Sequence, residues 1–440
     1  MSYCQSYHQS GISRRGFLQI GTLPFLGVNF ASALSVLAET GRLIKSCIFF
    51  YLGGGISHLD TYDPKPSAPD EFRGVYKPIQ TNVAGLMLSE LFPKQAKVMD
   101  KICLIRSLAH DSDDHAFAER RVITGSSQTG QPCFASAFTN LLRRHENKKR
   151  SSALHYVFLG SYAFNYYHTA NSSQFVNAED NPLFINKNPN EPDFKVDELQ
   201  LIDGVSLEQF LTRKNLLRQL DNWKYSFAQR ADNYDGYQQK IFDILTGKGI
   251  AKAFNINQET RGTCDLYGRT IIGQTALLGR RLVESGIPFI GIDARGYDSI
   301  GWDYHDDIFT HMPKAAGPFD QAISALINDL DEKGMLEETL VVAYGEFGRT
   351  PKINLRAGRD HWPQVGSVLM AGLDLPRGHI YGASDKNGER VIRNQIKPED
   401  LIATIYKLLG FPPEEEKNRL YTKSGLNRSL IEGKIIDFSK

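Results

Sequence analysis

Residues 46–52 read SCIFFYL, and Gly53-Gly54-Gly55 follow at once. A continuous apolar run stopped by glycines is how a strand buried on both faces of a sheet reads. Ile102–Arg106, Tyr156–Leu159, Phe289–Ile292, Leu340–Ala343 and Ser367–Ala371 have the same character. Amphipathic helical patterns lie between them. Ile271, Ile272, Thr275, Leu278 and Leu282 share a face ahead of Gly286, and Phe319, Ile323, Leu326, Ile327 and Leu330 recur at helical spacing ahead of Gly334. A third helix is expected over Pro398–Leu409, opened by a proline and two acids and closed by Gly410. Strand–helix alternation of this kind predicts an α/β fold, doubly wound, with a mostly parallel sheet and helices on both faces.

The rest of the chain fits one large domain. Its 440 residues carry 51 Lys and Arg against 50 Asp and Glu, a net charge of +1. That balance excludes the basic excess of a nucleic-acid binder. With 41% hydrophobic and 23% charged residues the chain can bury a sizeable core. The five cysteines form no CxxC pair, and Cys47 and Cys103 sit in apolar runs as small core residues. Near the N-terminus, Arg14-Arg15 precede Gly16-Phe17-Leu18 and an apolar stretch to about Leu37. A cationic segment followed by an apolar one is the mark of an export signal, and the adjacent arginines resemble the twin-arginine type. Residues 1–38 are therefore expected to be a leader read by the twin-arginine machinery, leaving a periplasmic or secreted chain with no membrane span. Residues 39–440 form the domain, with a polar, turn-rich stretch near 171–203 and a charged helical insertion near 206–254.

In an open parallel sheet, functional groups gather beyond the carboxyl ends of the strands. The first strand is followed by three glycines and then His58, Asp60 and Asp63. That glycine run reads equally as a tight turn and as a phosphate cradle. The second strand leads to Arg106, His110, Asp111, Asp113, Asp114 and His115, an oxygen and nitrogen set suited to a divalent cation and equally to a capped, solvated helix start. Beyond Phe289–Ile292 come Asp303 and His305, spaced to point the same way from an extended segment. After Leu340–Ala343 come Glu346 and Arg349, and then Arg359, Asp360 and His361. Four strand ends carrying such residues point to a shared metal or anion site. No GxSxG elbow, HExxH pair or Cys–His arrangement supports a nucleophilic hydrolase or a zincin.

Several strings together resemble a bacterial exported family, domain of unknown function 1501: GGGISHLDTYDPKP, DDHAFAERRVITG, GWDYH, TLVVAYGEFGRTPKIN and AGRDHWPQVGSVLMAG. The resemblance runs from the leader to PEDLIATIYKLLG. It implies an alkaline-phosphatase-like architecture, shared with sulfatases and phosphodiesterases, and a divalent-metal site at the strand ends. Carried over by position, it places His115 ten residues before Gly125, where sulfatases hold their nucleophile. Glu346 keeps a metal carboxylate without the neighbouring histidine. His361 matches the late metal histidine, Asp303 and His305 match the mid-chain acid/His pair, and Asp60 stands near the first metal aspartate.

The expectation is an exported hydrolase of a sulfate or phosphate ester, such as one carried on a carbohydrate. It would use a divalent metal (zinc, calcium or manganese) held by Asp60, Asp303, His305, Glu346 and His361. His115 would act as nucleophile, acid or base, and Arg349 or Arg359 would clamp the anion bidentately. The absence of Ser, Thr or Cys at the nucleophile position leaves a second expectation open: a non-catalytic anion- or glycan-binding or assembly protein on a hydrolase fold.

Overall fold

The apolar runs become strands because each finds apolar partners on both sides. The computed structural model describes residues 45–145, 154–160, 180–196, 250–295, 301–421, 427–428 and 433–439. The expected leader and residues 206–249 of the expected helical insertion lie outside them. Eight strands form one sheet: β1 (Ser46–Tyr51), β2 (Ile102–Leu108), β3 (Tyr156–Leu159), β4 (Leu183–Ile185), β5 (Phe289–Asp293), β6 (Thr339–Tyr344), β7 (Gly366–Ala371) and β8 (His379–Tyr381). Their spatial order is β8-β2-β7-β6-β1-β5-β3-β4. All neighbours are parallel except at β7, which is antiparallel to both β6 and β2. The two edge strands are short, and neither stands out from its surroundings as an apolar run. β4 lies within the turn-rich stretch read as an insertion.

Alternation along β1 divides the core. Ile48 and Phe50 join one apolar cluster, while Cys47, Phe49 and Tyr51 join the other. Helices α3 (Ile271–Glu284) and α4 (Ile308–Glu332) cover the first face through Ala276, Leu278, Leu282, Ile323 and Leu326. Helices α1 (His115–Thr124), α2 (Phe134–His145) and α5 (Pro398–Leu408) cover the second through Val122, Phe138 and Ile405. The result is the expected doubly wound α/β sandwich. Helix α4 begins eleven residues earlier than its apolar periodicity, running through Pro313 and Pro318; prolines there mask the helical signal. Among the described residues no helix is long and apolar enough to cross a membrane.

The topology fixes where a site can form. From β1 the sheet grows one way through β5 and the other way through β6, so a crevice opens at the carboxyl end of β1. Tyr51 pairs with Asp293 on one side and Tyr344 on the other, so the three strands end level. Because β7 runs antiparallel, its first residue Gly366 lies beside Leu108, the last of β2. Chain entering β7 therefore meets chain leaving β1, β2, β5 and β6.

Candidate metal centre

Each strand end contributes one part. β2 leads into α1, whose N-cap Asp114 accepts the Phe117 amide and sets His115 as the first helical residue. The chain after β5 brings Asp303 and His305, and the chain before β7 brings His361. Ligand atoms of His115, Asp303, His305 and His361 all lie within 4.8 Å of one another. Asp303 is the hub: its Oδ2 is 3.2 Å from His115 Nε2, and its Oδ1 is 3.1 Å from His305 Nε2 and 3.3 Å from His361 Nε2.

The outer nitrogens explain which atoms face inward. His115 Nδ1–H donates to Glu346 Oε1 at 2.7 Å, His305 Nδ1–H to Asp360 Oδ1 at 2.9 Å, and His361 Nδ1–H to the Asp113 carbonyl at 2.6 Å. A carbonyl or ionised carboxylate only accepts, so every Nδ1 carries the proton and every neutral ring turns its Nε2 lone pair inward. His305 Nε2 and His361 Nε2 stand 2.9 Å apart, and the buried His115 Nε2 has no well-formed hydrogen bond. Three lone pairs and a carboxylate converging this closely repel unless something positive lies among them. A proton on Nε2 meets that demand: burial opposes charge on His115, but its bonds to Asp303 and Glu346 prevail and raise its pKa to about 9. Burial also opposes charge on Asp303, yet His115, His361 and Arg349 hold its carboxyl well below the usual range. A divalent cation is the other solution, and three imidazole nitrogens with one carboxylate are a familiar donor set for it.

The frame around the four is buried. Arg349 is 2% exposed; it donates to the carbonyls of Gly54, Gly55 and Arg359 and to Asp303 Oδ1. The Phe347 ring packs 5.1 Å from the His115 ring and 4.5 Å from that of His361. Gly54, at φ +103°, would place a Cβ 2.5 Å from the Asp303 amide nitrogen, so only glycine allows that approach. The glycine run is thus a close-packing turn: its Gly54 amide is spent on Glu346 and two of its carbonyls on Arg349. Glu119, one turn along α1, is buried; that burial and the nearby Glu346 raise its pKa to about 8. His110 accepts the Ser112 amide at Nδ1 and donates from Nε2 to the Glu346 carbonyl at 2.6 Å. It ties the β2 end to the β6 end.

The family "Protein of unknown function (DUF1501)" matches residues 44–436. The chain belongs to the DUF1501 family. No curated protein matches this chain. Among solved structures, a protein of the alkaline phosphatase superfamily from Vibrio parahaemolyticus is similar at 11% identity, with TM-score 0.38 over 91% of this chain and 70% of that one. The lipoteichoic acid synthase LtaP from Listeria monocytogenes also shows 11% identity, with TM-score 0.38 over 88% and 87%. The PsFucS1 sulfatase from Pseudoalteromonas sp. gives 11% and 0.38 over 92% and 73%.

The candidate site residues of this DUF1501 sequence divide into four groups. Asp303, His305 and His361 come together, and His115 joins them. Glu346 lies behind His115 with both oxygens engaged, Oε1 by His115 and the Gly54 amide and Oε2 by Tyr51 at 3.0 Å. Asp60 and Arg359 stand apart from the cluster, bonded to each other at 2.7 and 3.1 Å and both buried. Asp60 also accepts from Ser57 and the Val75 amide. Neither it nor Arg359 faces the four converging atoms, and Arg349 grips Asp303 with no nitrogen to spare. Asp360, adjacent to His361, is the residue the sequence named without assigning a part. An acid next to a metal-type histidine was the available signal.

Proposed function

We propose that this DUF1501 chain is a metal-dependent hydrolase of a sulfate or phosphate ester. One observation carries the reading: three Nε2 atoms and the Asp303 carboxylate converge while every Nδ1–H is donated outward. His115, Asp303, His305 and His361 would hold the cation. Three imidazoles and one carboxylate favour zinc or a similar transition metal over calcium, which prefers oxygen ligands throughout. Bound there, the cation supplies Lewis acidity toward an ester oxygen and lowers the pKa of water.

The chain's own residues supply the rest. Arg349 and Gly54 fix Asp303, Phe347 closes one side against water, and the α1 N-terminus places His115 at the crevice. The family's resemblance to the alkaline-phosphatase superfamily directs the choice of ester. A carbohydrate-borne ester and export by the twin-arginine route belong to the same proposal, the latter supported by Arg14-Arg15. The non-catalytic alternative is favoured by one feature: neither arginine has a free face to clamp an anion.

The test is a screen of aryl sulfate and aryl phosphate esters with zinc-loaded chain and Asp303→Asn. The proposal expects turnover of one ester class, lost in the variant together with bound zinc. Zinc-loaded chain that binds these esters and releases no product would overturn the hydrolase in favour of the binding protein.

A further inference from the structure

Resting on that reading, we infer that Glu346 and Asp360 are positioning residues. Each fixes one histidine as the Nδ1–H tautomer and thereby sets the cation affinity of a site it does not touch. The three histidines are backed unequally. His361 leans on a backbone carbonyl that no side-chain substitution removes, while His115 and His305 lean on carboxylates. An acceptor behind a ligating imidazole selects its tautomer, orients the ring and makes the facing nitrogen a better donor.

Both acids are held by further contacts. Glu346 is 1% exposed, and Tyr51, the Gly54 amide and His115 aim three donors at it. That leaves the carboxylate ionised and at a fixed angle behind the imidazole. Asp360 is held from two sides: Asn354 Nδ2 donates to its Oδ1 at 3.2 Å, and its own amide donates to Thr350 Oγ1 at 3.0 Å. Asn354 Nδ2 also donates to the His305 carbonyl at 3.0 Å, so one amide aligns the acid and the histidine together. Asp306 bridges Ala357, and the Arg359 amide donates to the Tyr304 carbonyl. The segment after β6 therefore clamps His305 through its backbone and its ring alike.

The experiment measures zinc affinity of the full chain by competition with a chelating dye, and histidine tautomers by 15N NMR of the cation-free chain. Asp360 is the primary target, because its side chain is about half exposed and its loss leaves the core intact. Asp360→Ala is expected to weaken zinc roughly 10–100-fold and to move His305 from Nδ1–H to a mixture of tautomers. Asp360→Asn, which keeps an oxygen toward the ring, is expected to recover most of both. The His305 signal is the one missing in His305→Ala. Glu346→Gln gives the parallel comparison of zinc affinity for His115. Wild-type chain that binds zinc tightly while Asp360→Ala matches it within about twofold, with the His305 tautomer unchanged, would overturn the positioning role alone. Wild-type chain that binds no zinc would overturn both this role and the metal centre beneath it.

Discussion

Asp60 shows how one residue type at the right place in a sequence acquires a different part. It follows the first strand and its glycines, where an acid invites a metal reading, yet burial and Arg359 make it half of a closed ion pair. Removing one partner of such a pair leaves an uncompensated buried charge. Asp60→Ala is expected to cost about 3–5 kcal/mol of stability with zinc affinity retained in the folded fraction, measured by urea unfolding and zinc titration. A loss of zinc affinity with stability intact would return Asp60 to the metal site. His58 gives a pH prediction. It is fully buried, and its Nε2 is 2.8 Å from the Gly388 carbonyl, to which it donates as a neutral ring. Burial pushes its pKa down to about 4, against about 6.5 in the unfolded chain. Between those values the unfolded chain binds a proton that the folded chain refuses, so stability falls as pH drops from about 6.5 to about 4. Denaturation midpoints of wild type and His58→Gln across that range should diverge; parallel curves would contradict the assignment.

At the scale of elements, the strands were legible and their endings only partly so. Six apolar runs marked six strands of the sheet because strands buried on both faces need no alternation to be seen. β4 and β8 escaped notice because three-residue edge strands carry too little pattern. At the site, Asp303, His305 and His361 were readable as metal-type residues at strand ends. His115 was readable only as a member of a run suited equally to a cation and to a capped helix start, since joining the cluster depends on where α1 starts relative to the chain entering β7. The acceptors behind the rings were also hidden: which atom of Glu346 faces His115 is a matter of geometry. Gly358 shows the same dependence. A Cβ there would lie 2.0 Å from the His305 carbonyl carbon, so this turn must be glycine for the clamp to close. Gly358→Ala is expected to push His305 from the cluster and weaken zinc at least as much as Asp360→Ala, with the sheet intact by circular dichroism. Unchanged affinity would mean that the clamp does not set the site.

For the whole molecule, the central point is convergence. One antiparallel strand, β7, turns the chain so that His361 arrives where β1, β2, β5 and β6 release their own functional residues. Four groups separated by up to 246 positions meet within a few ångströms, each with its outer side engaged. The direct measurement is elemental analysis of the chain purified without chelator, beside His361→Ala and Asp303→Asn. The account predicts about one transition-metal ion per chain, zinc foremost, absent from both variants while they remain folded. Folded wild-type chain that carries no metal, even after incubation with zinc and manganese, would contradict it.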